Sequence, residues 1–305
     1  MADTVLVTGA AGFIGRHLIR RLAAEGTHVL GTTHRSRVPE GLPGVESWPV
    51  DLTAPETLEP LPAAIDGVVH LAAATSVEST LEAAERCLAV NGGGTLNLLR
   101  FCVERKIPSF VFGSSIAVYG GVRAPDAIPE TWPVAPHSFY GATKLLGERY
   151  AELMGKTFGL RTVRLRFSSV YGVGQHPHTV LAIFVRRALA GQDLEVFGPG
   201  ERTQDFLYVD DAVAGILGAL RSGASGVFHI GSGEGTTMRE LARSVSRVLS
   251  GGRARVVFRP DSPEEPMAIR LDIRRAREAL GYAPRYGLEA GLQAYHRKLA
   301  EGPRG

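Results

Sequence analysis

Tyr140 and Lys144 are four residues apart in the segment SFYGATKLLGERY. Two side chains at this spacing on a helix share one face. A tyrosine is a poor base near neutral pH because its reference pKa is about 10. A neighbouring ammonium group favours the phenolate and lowers that pKa, so the pair predicts a Tyr140 base that takes a proton from a substrate hydroxyl. Because the spacing is common, a surface Tyr–Lys pair is the alternative.

Two serines follow an apolar stretch that reads as a strand. The segment Ser109–Phe112 runs into GSSIAVYG, which places Ser114 and Ser115 at the carboxyl end of a sheet strand. A serine hydroxyl at this position can hydrogen-bond the reacting oxygen and pass its proton toward Tyr140. We assign this role to Ser115 rather than Ser114. The alternative is that both serines only end the strand.

A glycine-rich loop lies near the start of the chain. In TVLVTGAAGFIG, the residues Gly9, Gly12 and Gly15 follow a strand and open a helix. The first glycine permits a tight turn, the second lets backbone amides approach a pyrophosphate, and the third lets the helix pack close to the strand. The free N–H groups at the helix start favour phosphates. Although the spacing is G-x-x-G-x-x-G rather than G-x-G-x-x-G, the complete strand–turn–helix context predicts a bound dinucleotide.

The end of the second strand bears on which dinucleotide binds. A ribose-binding Asp or Glu is expected near Thr33, but the segment there reads HVLGTTHRSR. An acid would repel the 2′-phosphate of NADP, whereas Thr33, His34 and Arg35 can accept it. The sequence therefore favours NADP over NAD, the alternative being that Arg35 is a solvated loop residue. Asp51, after the strand ESWPV, is placed to hydrogen-bond the adenine amino group.

Short apolar runs and helical segments alternate through the first two-thirds of the chain. This alternation requires a parallel sheet covered on both faces, with ligands bound beyond the carboxyl ends of its strands. We predict an α/β fold: a Rossmann-type doubly wound parallel sheet in residues 1–171, and a smaller C-terminal α/β substrate lobe, mainly 172–305, from which some segments return to the sheet. The predicted strands are Thr4–Thr8, His28–Thr32, Val45–Val50, Gly67–Leu71, Ser109–Phe112 and Arg161–Phe167, and the clearest helices are Phe13–Ala24 and Leu181–Ala190.

The composition narrows the class of protein. The 305 residues are 44% hydrophobic and 21% charged, as expected of a soluble globular enzyme. Cys87 and Cys102 form neither a disulfide framework nor a zinc-site spacing, so we expect no metal and a reducing cytoplasm. The charge of +3 is spread along the chain, which argues against a nucleic-acid partner. Without a signal peptide or an apolar run of roughly 18 residues, we expect a cytoplasmic protein with no membrane partner.

Together these motifs resemble those of the extended short-chain dehydrogenase/reductases, and specifically the NAD-dependent epimerase/dehydratase family of sugar-nucleotide enzymes. They are specific for the family but not for one reaction within it. The matching stretches span nearly the whole chain and are TGAAGFIGRHL, Asp51-Leu52, HLAA at 70–73, Asn91 in NGGGTLNLL, SSIAVYG, FYGATK, LRFSSVYG, QDFLYVDD and LGYAPRYGLEAGL.

The resemblance implies a lobe that holds a nucleoside diphosphate sugar and a reaction that oxidises a sugar C4 hydroxyl, then returns or relocates the hydride. It implies Tyr140 as base, Lys144 as the residue that binds the cofactor ribose and tunes Tyr140, and Ser115 as the group that orients the substrate. The cofactor-binding residues it implies are Gly9, Gly12, Phe13, Ile14, Gly15, Thr33, His34, Arg35, Asp51, Leu52, Leu71, Ala72, Ala73, Asn91, Tyr140 and Lys144. The substrate-binding residues are Ser114, Ser115, Tyr119, Ser169, Gln204 and Arg259.

Several positions depart from the family pattern. The family's 4,6-dehydratases carry one or two acids after the Ser/Thr position, whereas this chain has Ile116 and Ala117, which cannot move protons. This predicts against dehydration. Where the family tends to carry Asn and Arg for the substrate diphosphate, this chain has Ser169 and Gln204.

That loss weakens the nucleotide-sugar expectation, although Arg202 and Arg259 can partly compensate. The segment VLGTTHRS also looks more like the NADP-using GDP-4-keto-6-deoxymannose reductase branch.

Three functions follow from these residues. The leading one is an epimerase acting at C4 of a nucleoside diphosphate hexose with a tightly held cofactor. The second is an NADPH-dependent reductase of a 4-keto sugar nucleotide or related ketone. The third is a non-catalytic cofactor-sensing protein, against which the intact Ser115, Tyr140 and Lys144 argue. Relatives commonly form dimers through paired helices, so we expect a homodimer formed by the helices around Leu88–Val103 and Leu145–Thr157.

Overall fold

The elements below come from a computed structural model that describes residues 3–34, 38–39, 41–75, 80–124, 126–264 and 267–301. The strands are β1 Thr4–Thr8, β2 His28–Thr33, β3 Val45–Pro49, β4 Gly67–His70, β5 Ser109–Ser115, β6 Arg161–Phe167, β7 Ser169–Tyr171, β8 Leu194–Phe197, β9 Thr203–Gln204, β10 Phe206–Tyr208, β11 Gly226–Ile230, β12 Thr236–Thr237 and β13 Val256–Arg259. The α-helices are α1 Phe13–Ala24, α2 Leu81–Cys87, α3 Gly94–Glu104, α4 Phe139–Phe158, α5 Val180–Leu189, α6 Val209–Arg221, α7 Met238–Ser250, α8 Arg274–Leu280 and α9 Leu288–Ala300.

A parallel sheet of seven strands in the order β11-β6-β5-β4-β1-β2-β3 forms the centre of the molecule. The predicted Rossmann-type fold is confirmed. The strand order reverses between β1 and β4, and a ligand of such a sheet binds beyond the carboxyl ends at this switch point. Strand β5 is longer than predicted, because Gly113, Ser114 and Ser115 continue to pair with β6.

Helices cover both faces of the sheet because its inner strands are apolar on both sides. In β1, Val5 and Val7 belong to the cluster that packs under α1, α6 and α8, whereas Leu6 belongs to the opposite cluster under α3 and α4. This alternation follows from the two-residue repeat of a strand. Helices α1 and α4 are thereby packed against opposite faces of the sheet.

A second apolar core lies beside the sheet, in the part of the chain predicted as a smaller lobe. Helices α5, α7 and α9 pack around the strand pairs β8–β13 and β7–β10. Strand β11 returns to the central sheet beside β6. The buried carboxylate of Asp205 joins these segments, since it accepts hydrogen bonds from the Ser232 amide and hydroxyl, both at 2.8 Å. The boundary between residues 171 and 172 stays a prediction.

The helices of the site differ in one detail from the sequence expectation. The stretch expected as one helix around Leu88–Val103 contains a π-helix over Leu88–Gly93, followed directly by α3. Such turns are frequent at functional sites. Two short 3-10 helices cover Pro55–Leu58 and Ile116–Tyr119. Within the described residues, no helix is both long and apolar enough to cross a membrane.

Candidate active site

The glycine loop takes a backbone path that only glycine tolerates at two points. Gly9 has φ +68°, and a Cβ added there would lie 2.7 Å from the backbone nitrogen of Ala72. A Cβ on Gly15 would collide with the carbonyl oxygen of Gly9 and lie 2.9 Å from Cα of Ala10. The first contact brings β1 and β4 together at the switch point, and the second seats α1 against the loop. The sequence predicted the turn at Gly9 and the close packing of the helix at Gly15, but not the contact with Ala72.

The start of α1 is open to a ligand. Gly12 is the N-cap residue of α1, has no side chain that could cap the helix, and is exposed. The first turn holds no acid, so the amide groups of Phe13 and Ile14 carry the positive end of the helix dipole without a competing carboxylate. This arrangement fits the pyrophosphate of a dinucleotide.

A chain of buried hydrogen bonds lies next to the switch point. The hydroxyl of Thr8 lies 2.6 Å from Nδ1 of His70, and Nε2 of His70 lies 2.9 Å from the hydroxyl of Thr95. Burial lowers the pKa of His70 to about 3, with Lys144 adding to the effect, so the ring stays neutral. The same Thr8 hydroxyl accepts from the amide of Ala72 at 3.3 Å. The turn after β4, which holds Leu71, Ala72 and Ala73, is thus fixed beside the glycine loop.

Asn91 projects from the π-helix and holds the same turn from the other side. Its side chain accepts from the Ala74 amide at 2.7 Å and donates to the Ala74 carbonyl and the Thr143 hydroxyl, both at 3.0 Å. Thr143 belongs to α4, between Tyr140 and Lys144. Asn91 therefore joins the turn after β4 to the helix that carries the proposed base.

Thr33 ends β2 and is followed by His34, whose Nδ1 lies 3.8 Å from Oδ2 of Asp51. Asp51 also accepts from the Thr53 hydroxyl at 2.7 Å. The carbonyl of Leu52 accepts from Asn97 at 2.8 Å. Arg35 lies outside the described residues.

The structure brings Ser115, Tyr140 and Lys144 together at the carboxyl end of β5. Burial raises the pKa of Tyr140 to about 12, and a side-chain hydrogen bond with Ser115 lowers it in part. The Ser115 oxygen also accepts from the Ala117 amide at 3.1 Å, which makes it the N-cap of the Ile116–Tyr119 turn. The serine side chain is therefore held by the turn that follows it.

Lys144 is buried beside Tyr140 and anchored to the strand. Its ammonium donates to the carbonyl of Gly113 at 2.7 Å and lies 5.7 Å from the centre of the Tyr140 ring. Burial lowers the pKa of Lys144 to about 8, and the carboxylate of Glu148 opposes that shift. The pair can hold a positive charge next to the phenol, but the predicted lowering of the Tyr140 pKa is not found, because burial of the phenol outweighs the groups that lower it.

A buried network that sequence reasoning missed lies behind these residues. Arg166 on β6 donates to both oxygens of Glu148 on α4, at 2.9 and 2.7 Å, and the Ser114 hydroxyl donates to Oε1 at 2.5 Å. Arg166 also donates to the hydroxyl of Tyr119 at 2.6 Å, and that hydroxyl lies 2.5 Å from Nε2 of His229. Two arginines at alternate positions of the apolar strand RTVRLRF were the available signal.

This network determines where two predicted substrate residues lie. Ser114 and Ser115 are adjacent on β5, so their side chains point to opposite faces of the sheet. Ser114 is bonded to Glu148, and Tyr119 to Arg166 and His229. Their contact with a substrate stays a prediction.

The remaining predicted substrate residues lie in short strand pairs outside the central sheet. The Ser169 amide donates to the Asp205 carbonyl, next to Gln204, which pairs with Thr236. These two residues are therefore neighbours, and their contact with a substrate stays a prediction. Arg259 ends β13 in a different strand pair, where its guanidinium donates to Glu195 at 2.6 Å. A contact between Arg259 and the substrate also stays a prediction.

The model of the NAD dependent epimerase/dehydratase family matches residues 5–231, so the chain belongs to this family. The resemblance inferred from the motifs is confirmed. A putative UDP-glucose 4-epimerase of Methanocaldococcus jannaschii is 32% identical over 301 residues, covering 95% of this chain and 96% of that protein.

Solved structures agree over nearly the whole length. UDP-glucose 4-epimerase of Thermotoga maritima, solved with UDP-glucose, has a TM-score of 0.89 and 32% identity, covering 98% of this chain and 99% of that chain. UDP-glucuronic acid 4-epimerase of Bacillus cereus, solved with UDP-glucuronic acid and NAD, has a TM-score of 0.85 and 31% identity, covering 98% of this chain and 99% of that chain. The chain is thus similar throughout to NAD-binding epimerases of sugar nucleotides.

Replacing Gly15 with alanine tests the glycine loop. In Gly15→Ala the new methyl group meets the Gly9 carbonyl, so the loop must move away from the position that fits a pyrophosphate. We expect the affinity for NAD or NADP to fall by at least about tenfold, which is about 1.4 kcal/mol. Isothermal titration calorimetry measures it. Gly223→Ala is the control, because an added Cβ there meets open space. Unchanged affinity in a folded Gly15→Ala protein would contradict the assignment.

Proposed function

We propose that this protein is an NAD(P)-dependent epimerase that inverts C4 of a nucleoside diphosphate hexose. The observation that carries the proposal is the grouping of Ser115, Tyr140 and Lys144 at the carboxyl end of β5, next to a loop that fits a dinucleotide. The epimerase relatives, which match over nearly all of this chain, support the choice of reaction.

The proposed residues each have one role. The amides at the start of α1 hold the cofactor pyrophosphate, and Lys144 holds the cofactor ribose. When bound, the nicotinamide cofactor supplies the chemistry of taking a hydride from C4 and giving it back. Tyr140 takes the proton of the C4 hydroxyl as that carbon loses hydride and becomes a ketone, and Ser115 hydrogen-bonds the reacting oxygen. After the ketone turns its other face to the cofactor, Tyr140 returns the proton to the C4 oxygen. The reaction therefore balances without an external oxidant or reductant.

The position next to Ser115 argues against a dehydratase. An elimination at neighbouring carbons needs a group that protonates the leaving hydroxyl. Ile116 and Ala117 occupy the turn that directly follows Ser115 and hold no acid. The chemistry that these residues support is therefore proton transfer between the C4 hydroxyl and Tyr140.

Replacing Tyr140 with phenylalanine tests the base. We expect Tyr140→Phe to lower kcat for C4 epimerisation of UDP-glucose or UDP-glucuronic acid by about 10²–10⁴-fold, since it removes the acid–base group alone. The affinity for the cofactor should change little. The product is measured by chromatography of the sugar nucleotides. Tyr150→Phe, on the same helix, is the matched control and should keep wild-type turnover. Near-normal turnover of Tyr140→Phe would rule out this mechanism.

An NADPH-dependent reductase of a 4-keto sugar nucleotide is the second candidate. It is favoured by the end of β2, where Thr33 and His34 stand in place of the expected ribose-binding acid. The two candidates differ in redox balance. An epimerase shows no net absorbance change at 340 nm during turnover, whereas a reductase consumes added NADPH in proportion to product.

We further propose that NADP binds more tightly than NAD. The support is the missing acid after β2 and the neighbouring basic side chains of His34 and Arg35, although the Bacillus cereus relative was solved with NAD. We expect Arg35→Ala to lower the NADP affinity severalfold and leave the NAD affinity unchanged, as measured by calorimetry. Arg100→Ala, an exposed arginine of α3, is the control. If Arg35→Ala leaves the ratio of the two affinities unchanged, Arg35 takes no part in the choice.

We also propose a homodimer formed by the π-helix with α3 and by α4, the helices around Leu88–Val103 and Leu145–Thr157. Leu88 and Leu153 in these elements expose 58% and 57% of their surface, and Leu81 in the adjoining α2 exposes 78%. Burying such side chains between two copies is favourable. We expect sedimentation velocity to give a dimer for the wild type and a monomer for the double variant Leu88→Glu/Leu153→Glu. A monomeric wild type at micromolar concentration would contradict this arrangement.

A further inference from the structure

Helix α4 carries three ionisable side chains on one buried face. Tyr140, Lys144 and Glu148 follow each other at intervals of four residues, which places them one above the other along the helix. Lys144 and Glu148 are each only 3% exposed. The mechanism above uses the first two, and Glu148 has no part in it.

The carboxylate of Glu148 is held in a fixed position by two neighbouring strands. Arg166 on β6 binds both of its oxygens in a bidentate pair at 2.9 and 2.7 Å. The Ser114 hydroxyl on β5 donates to the same group at 2.5 Å. Because these donors hold the buried carboxylate, its negative charge has a fixed position.

Besides the Gly113 carbonyl and the Phe112 ring, which contact its ammonium, Lys144 is influenced by the charge of Glu148. Tyr140 lies one turn before Lys144 on α4. The electrostatic effect of Cys87 on α2 is on Tyr140, whose pKa it raises. His70 of β4 is neutral, since burial lowers its pKa to about 3. Arg166 of β6 is already paired with the carboxylate. Burial lowers the pKa of Lys144 to about 8, and among the described residues Glu148 is the one that opposes the shift.

We propose that Glu148 is a positioning residue for the Tyr140–Lys144 pair: its carboxylate, fixed by Arg166 and Ser114, stabilises the ammonium form of Lys144 inside the buried site. Through that ammonium it favours the phenolate of Tyr140. The catalytic consequence rests on the function proposed above, but the effect on Lys144 does not.

The same helix and strand provide a matched control one turn further along. Glu152 follows Glu148 by four residues, and Arg164 precedes Arg166 by two on β6. Their ion pair of 3.4 Å is shared with Arg149 and Lys156 near the surface. Glu152→Gln therefore removes a carboxylate from the same helix face without touching the surroundings of Lys144.

Direct titration of Lys144 tests the proposal. The chain has four lysines, Lys106, Lys144, Lys156 and Lys298, so the signals of ¹³C-labelled lysine can be assigned by comparison with Lys144→Met. Removing the negative charge makes the ammonium less stable. We expect the titration midpoint of Lys144 in Glu148→Gln to fall by roughly one unit or more. It should stay at the wild-type value in Glu152→Gln.

The pH profile of turnover gives a second measure of the same effect. In Glu148→Gln the alkaline decline of kcat should move to lower pH together with the Lys144 midpoint, with little change in KM. If Glu148→Gln does not fold because Arg166 is left unpaired, Glu148→Gln/Arg166→Met removes both charges and should still lower the midpoint. An unchanged Lys144 midpoint in the folded variant would overturn the proposal. Since the titration needs no substrate, it is separate from any failure of the proposed epimerase activity.

Discussion

The buried polar face of α4 is the constraint on which the rest of the site depends. Charged groups are costly to bury unless they are paired and hydrogen-bonded. Partners on the sheet compensate for this burial: Lys144 donates to the carbonyl of Gly113, and Glu148 is bound by Arg166 and Ser114. These partners sit at the end of β5 and on β6, and the two strands pair as far as Ser115, which lies beside Tyr140.

The glycine loop imposes a second constraint, which meets the first at the same edge of the sheet. Gly9 must lie against Ala72, and the Thr8–His70–Thr95 bridge keeps that approach fixed. Asn91 then joins the turn after β4 to α4 through Thr143. The glycine loop and the Tyr140–Lys144 pair are thus joined by direct contacts, which suits a reaction that exchanges a hydride at a carbon and a proton at the oxygen bound to it.

Many elements of this fold can be predicted from local patterns in the sequence. The strands Thr4–Thr8 and Arg161–Phe167 and the helix Phe13–Ala24 have the bounds predicted from their apolar periodicity. The roles of Gly9 and Gly15 follow from spacing and context. The pair Glu148–Arg166 could not be assigned from local patterns, because its partners come from separate elements 18 residues apart. The orientation of Ser114 depends on the same long-range packing, since only the position of α4 decides which face of β5 meets Glu148.

The central claim is that hydride leaves C4 of the sugar and returns to it within one active site. The most direct test is to incubate the purified protein with UDP-glucose that carries deuterium at C4, in ordinary water with unlabelled NAD and NADP. The proposed mechanism predicts that the C4 epimer forms and keeps the deuterium, as measured by mass spectrometry and NMR. A C4 epimer without deuterium, or deuterium released to the free cofactor at the rate of turnover, would contradict it.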